Sequence, residues 1–176
     1  SAASELGRHW RVGAVLHNAI AQVHFDGDVG MQPNRHLVRT ERLDGIVQLH
    51  ETPIELAGVR FTPIPVNHPV PTHGFLIEEG DTAFLWSSDT GPTERLWEVA
   101  NSTPSLRAVS IETSFDNAMQ EVADVSYHLT PRTLNRELEK LERKVPILLH
   151  HLKPPCVGKI RAEIKQLANP DIDYLE

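Results

Sequence analysis

Ala83-Phe84-Leu85-Trp86-Ser87-Ser88-Asp89-Thr90-Gly91-Pro92 is the stretch on which the fold reading turns. Ala83 to Trp86 suit a buried strand, and Gly91-Pro92 imposes a turn before a helix can begin. Asp89 therefore stands just past the end of an apolar strand and just before a helix. In open α/β sheets that edge is where ligands bind.

The same arrangement recurs on either side. His68 follows a strand predicted over 59–66, Glu112 follows Val109-Ser110-Ile111, and His151 follows Ile147-Leu148-Leu149. Helix starts come soon after Asp89, after His128 (Thr130-Pro131) and after His151 (Pro154-Pro155). Helix N-termini present free N–H groups and partial positive charge, so this edge suits a metal together with an anion. Within His150-His151 a strand sends adjacent side chains to opposite faces, so one of the two joins the site, and His151 is the choice. Within His68-Pro69-Val70-Pro71-Thr72-His73 spacing alone leaves either imidazole open.

Each of these residues has an ordinary reading by itself. A single His near a strand end is more often a hydrogen-bonded structural residue than a ligand. Asp89 also suits a turn or cap, and Lys153 a solvated surface charge. Their joint placement carries the argument: a carboxylate flanked by imidazoles is a donor set for Zn²⁺ or a similar ion.

The remaining chain reads as one layered α/β domain over 1–176, with no repeat or linker. Residues 1–45 are the least legible, with a helix expected over Trp10 to Val23 and broken by Asp26-Gly27-Asp28. Strands are predicted at 46–49, 59–66, 106–111 and 145–149, with a hairpin of 74–77 and 83–87 around Glu78 to Asp81. Helices are predicted over 92–100, 131–143 and 155–167, where Leu134, Leu138 and Leu141, and Ile160, Ile164 and Leu167, each form one apolar stripe.

At 176 residues, 40% hydrophobic and 23% charged, the chain can bury a core of its own. No apolar run approaches the roughly 20 residues of a membrane span. A net charge of −7 argues against an extended nucleic-acid surface, while a small anion remains compatible with local cations or metals. Cys156 is the one cysteine, so no internal disulfide forms and the compartment stays undetermined.

Five segments, in order, resemble the metallo-β-lactamase superfamily, and within it class II cyclic-nucleotide phosphodiesterases and, more distantly, ribonuclease Z. They are 67–77 (Asn-His-Pro-Val-Pro-Thr-His-Gly-Phe-Leu-Ile), 87–92 (Ser-Ser-Asp-Thr-Gly-Pro), 111–115 (Ile-Glu-Thr-Ser-Phe), 126–131 (Ser-Tyr-His-Leu-Thr-Pro) and 150–154 (His-His-Leu-Lys-Pro). The resemblance implies the layered αββα sandwich of that superfamily, mainly its C-terminal half. It implies that His68 completes the first metal's ligands, that Asp89 bridges two metals and that His151 binds the second. His128 resembles the histidine that contacts the phosphate and protonates the leaving oxygen, and Glu112 the acid that orients it. Thr130 and Lys153 are then the expected substrate contacts. The implied cofactors are two divalent ions, Zn²⁺ first, with Mn or Fe as alternatives, and the implied substrate is a small phosphodiester such as a cyclic nucleotide.

Two departures qualify this. The family's His-x-His-x-Asp-His signature is absent, since His9, His17, His24, His36 and His50 do not reproduce it. Residues 1–67 use up the span that the family places between that signature and His68, so the chain is expected to begin just beyond it, leaving each metal short of ligands. An apolar sheet face should then lie open, calling for self-association or a covering partner segment. The second departure is Ser88, which stands where the family usually has Gly. Two other readings accompany the phosphodiesterase one: a ribonuclease Z-like or other hydrolase of this fold, and a metal-free binding module or inactive fragment.

Overall fold

The computed structural model describes residues 41–43, 46–48 and 51–175. The helix expected over Trp10 to Val23 and the histidines up to His50 lie outside the described residues. A two-stranded antiparallel sheet pairs β1 (Glu41–Leu43) with β2 (Ile46–Gln48). The main sheet has seven strands in sequence order: β3 (Ile54–Leu56), β4 (Val59–Pro65), β5 (His73–Glu79), β6 (Thr82–Trp86), β7 (Leu106–Glu112), β8 (Ile147–His150) and β9 (Ile172–Tyr174). The first four run antiparallel as a meander, and β6 to β9 run parallel.

Parallel neighbours need crossovers, and four helices supply them: α1 (Arg95–Ser102), α2 (Gln120–Ser126), α3 (Pro131–Leu138) and α4 (Val157–Gln166). Leu76, Leu85, Val109, Ile111, Ile147 and Leu149 form one face of the sheet. They share a core with Leu96, Trp97 and Ala100 of α1, Leu134 of α3, and Ile160 and Ile164 of α4. Burying side chains of this size stabilises the fold by roughly 1.5–3 kcal/mol each. The opposite face carries Phe61, Phe75, Ile77, Phe84 and Leu148, all buried and outside that core.

The predicted strands and the hairpin are present with ends shifted by one or two residues. Besides β1, which no predicted strand covers, three elements carried no readable pattern. β3 is only three residues, joined to β4 by Ala57-Gly58, both at positive φ as a tight hairpin turn requires. β9 is an edge strand with no fully buried side chain. α2 buries only Ala123 and exposes Val122 and Val125, so no apolar stripe marks it.

Two helices differ from their predicted bounds for local reasons. α1 starts at Arg95, and ahead of it the Thr93 N–H donates to Glu137 Oε2 at 3.0 Å. α3 stops at Leu138, where tighter turns follow and the Glu142 N–H turns to Asn101 Oδ1 at 3.0 Å. Buried Glu137 also accepts from Trp97 Nε1 at 2.8 Å and Lys140 Nζ at 2.7 Å, which ties α3 to α1.

Candidate metal centre

The parallel strands end along one rim, and there the chain brings four distant loops together. Asn67 is the first staple. Its N–H donates to Thr90 Oγ1 at 3.2 Å, its carbonyl accepts from the Gly91 N–H at 2.8 Å, and its Nδ2 donates to the Pro92 carbonyl at 2.9 Å. The loop carrying His68 is thereby fixed to the loop carrying Asp89. A Cβ on Gly91 would stand 3.3 Å from Tyr127 Cα, a tight contact, so glycine eases the close packing of the Asp89 loop on the turn before His128.

Backbone conformation supports the same convergence. Of the five non-glycine residues at positive φ among the described residues, three belong to this rim: Ser88 at 54°, Tyr127 at 54° and His151 at 59°. Such conformations are disfavoured for L-residues and persist where surrounding structure enforces them. Ser88 explains the family's glycine at its position. Serine is tolerated there with its Oγ donating to the His73 carbonyl at 2.8 Å.

Glu112, the last residue of β7, is fully buried behind the rim. Its Oε1 accepts from His128 Nδ1 at 2.8 Å, from the Leu129 N–H at 3.2 Å and from the Thr90 N–H at 3.3 Å. Its Oε2 accepts from Ser114 Oγ at 2.9 Å. One carboxylate thus holds the Asp89 loop and the His128 ring together. With its Nδ1–H committed to Glu112, the His128 ring offers Nε2 as its free nitrogen. His68 is set in a similar way. Thr72 Oγ1 donates to the Val70 carbonyl at 2.9 Å and so receives the His68 Nδ1–H at 3.2 Å, leaving Nε2 clear.

One donor atom each from His68, Asp89 and His128 lies within 4.8 Å of the others, a span compatible with a shared divalent ion. His151 joins from the far side, with Nδ1 hydrogen-bonded to Asp89 Oδ1 and its ring centroid 5.6 Å from that of His128. Burial acts to raise the Asp89 pKa, but the His151 hydrogen bond and the charges of His151, His128 and His68 outweigh it and hold the carboxyl below its usual range. The His68 Nε2 and the ionised Asp89 carboxylate are suitable donors for Zn²⁺ and similar metals, and the His128 Nε2 faces the same hollow.

The structure separates the paired alternatives. His150 points into the opposite sheet face, stacked on Trp86 at 4.1 Å between ring centroids, with Nδ1 at 2.9 Å from Ser110 Oγ. Burial pushes its pKa down to about 3. His73 begins β5 opposite Pro65 and is not part of the donor cluster.

Thr130 is fully buried, with its hydroxyl donating to Gln120 Oε1 at 2.7 Å and accepting the Thr133 N–H at 3.3 Å in a capping box for α3. Such a cap is worth about 1 kcal/mol. The hydroxyl is thus spent within the fold rather than left for a ligand. Lys153 reaches back to the rim, its Nζ 2.7 Å from His151 Nε2. Two organising residues had no assigned role in the sequence reading. Asn67 is the staple above, and Ser114 Oγ lies 3.3 Å from the His151 carbonyl as well as touching Glu112. Both lie inside the motif segments, which was their only signal.

Mixed sheet, helical cover and a His/Asp cluster along the C-terminal strand ends define a protein of the metallo-β-lactamase fold. The chain belongs to the beta-lactamase superfamily, whose domain description matches residues 9–151. Among solved structures it is similar to the metallo-beta-lactamase fold protein YhfI from Bacillus subtilis (15% identity, TM-score 0.59, 72% of this chain and 50% of that one). It is also similar to yeast PDE1 (17%, TM-score 0.58, 72% and 47%). A third is a diphosphatase of the PhnP family (20%, TM-score 0.52, 73% and 45%). The chain spans about half the length of these structures. No curated protein matches it.

Proposed function

We propose that this chain carries one half of the active site of a metal-dependent phosphodiester hydrolase, with a cyclic nucleotide as the substrate. The observation that carries the reading is the buried Glu112–His128 pair, aimed at the same hollow as His68 and Asp89. A carboxylate that fixes one imidazole nitrogen presents the other to a reacting oxygen, the arrangement of a general acid held in place.

In this proposal Asp89, His68 and His151 hold divalent ions, Zn²⁺ first, and the ions supply Lewis acidity and lower the pKa of water. His128 gives its Nε2 proton to the departing oxygen, and Glu112 stabilises the imidazolium before that transfer. Thr130 acts indirectly by capping α3, the helix that follows His128 in the chain. A diphosphatase among similar folds agrees with chemistry at phosphorus. The net charge of −7 favours a small anion over a tRNA.

The test is hydrolysis of cyclic AMP, cyclic GMP and bis(4-nitrophenyl) phosphate side by side, with Zn²⁺ or Mn²⁺ added. Turnover of a cyclic nucleotide that disappears on chelation supports the reading. Turnover of the model diester alone redirects it to another hydrolase of this fold, and a chain that takes up no metal is a binding module or an inactive fragment instead.

A further inference from the structure

Phe115 closes the segment 111–115 and has no part in the metal and proton-transfer chemistry set out above. Its ring meets that of His128 edge to face, with centroids 5.7 Å apart and planes at 70°. The main chain builds this contact. The Ser114 and Phe115 N–H groups both donate to the Leu129 carbonyl, at 3.1 and 3.3 Å, so the segments that carry the two rings are tied together beside them. Leu129 is itself buried in the helix-covered core, and its N–H goes to Glu112 Oε1 at 3.2 Å.

The hydrogen bond from Nδ1 to Glu112 fixes one atom of the His128 ring. It leaves the ring free to tilt about that bond, and a tilt changes the direction in which Nε2 points. Three rings stand against such motion: Phe115, His68 at 5.5 Å between centroids and His151 at 5.6 Å. His68 and His151 belong to the polar hollow, and each has nitrogens of its own for a neighbour or an ion to engage. Phe115 is apolar, partly buried and packed against the core, so it keeps its place whatever the hollow holds.

We propose that Phe115 is a positioning residue for His128. Its flat face removes the tilt that Glu112 leaves open, and Nε2 stays aimed at the reacting oxygen. The inference rests on the reading of His128 as proton donor to the departing group. Such a donor has to be held within roughly 0.5 Å and 10–20° of its productive geometry by packing as well as by hydrogen bonds. Glu112 and Phe115 divide that task between them.

The test compares Phe115→Leu, which keeps apolar volume without a flat ring, and Phe115→Tyr, which keeps the ring. Carbon-13 relaxation of the His128 imidazole is measured in the 176-residue chain, the signal being assigned by its loss in His128→Ala. The ring is as rigid as its backbone in the wild type and in Phe115→Tyr, and mobile in Phe115→Leu. With Zn²⁺ and bis(4-nitrophenyl) phosphate, Phe115→Leu lowers kcat roughly tenfold at unchanged KM and metal content, while Phe115→Tyr stays close to wild type. Urea midpoints check that the variants fold, and Phe115→Met replaces a leucine variant that does not. An equally rigid ring in Phe115→Leu, equal losses in both variants, or a loss of bound metal overturns the proposal. Absent turnover in the wild type, with the pattern of ring motion intact, removes the phosphodiester reading and leaves Phe115 as the residue that holds His128.

Discussion

His150 and His151 are neighbours with opposite chemistry, and the regions they belong to differ in the same way. On the His150 side, Trp86, Ser110 and the imidazole form a dry stack in which the ring stays neutral. On the His151 side, Asp89, Lys153 and three imidazoles share a partly exposed polar hollow. The strand period of two turns the first ring into the sheet face. The left-handed conformation at His151 turns the second into the rim. Residue type alone therefore does not set a histidine's role; the face to which the backbone delivers it does.

The sharpest way to break the comparison is to remove an imidazole from the charged side. His128→Ala is expected to lower phosphodiester turnover about 10²–10⁴-fold, the range of a lost general acid. Metal content by elemental analysis should stay constant, and a loss of metal would move His128 into the ligand set.

The dry side should answer to acid instead. Folded His150 stays neutral down to about pH 3, whereas its ordinary value is 6.5. Below 6.5 the unfolded chain therefore binds more protons, and stability falls as the pH drops toward 3, by about 3–5 kcal/mol over the whole window. His150→Phe keeps a ring on Trp86 and removes that proton. Urea midpoints measured from pH 7 to pH 4 should fall less steeply for the variant.

Glu112→Gln keeps the shape and removes the charge behind His128. Turnover should fall roughly ten- to hundredfold, the usual effect of losing a carboxylate behind a functional histidine. Rates and metal content measured together would show whether the loss is in chemistry. The smallest effect belongs to Ser88→Gly. It relieves a left-handed serine worth roughly 1 kcal/mol and gives up the Oγ bond to His73, worth about as much, so thermal unfolding should shift by less than about 1 kcal/mol either way.

Much of this was legible because strongly patterned segments announce themselves. The runs before Asp89, Glu112 and His151 are apolar and short, and each ends at a polar residue on the rim. α2 was invisible for the converse reason: with Val122 and Val125 turned to solvent, its sequence carries no buried stripe. The Asn67 staple and the Ser114 contact could not be read either, since hydrogen bonds to partners 23 and 37 residues away leave no local pattern.

By itself the sequence determined the alternation of strand and helix, the rim at which polar residues gather and the chemical types present there. These follow from periodicities of two and 3.6 residues, which are properties of the local chain. Tertiary structure alone decided which nitrogen of His68 and of His128 is committed, that Thr130 is spent on a cap, and that Lys153 rests on His151. Tautomer and hydrogen-bond partner depend on atoms brought together from distant segments, and only the packed fold sets those distances.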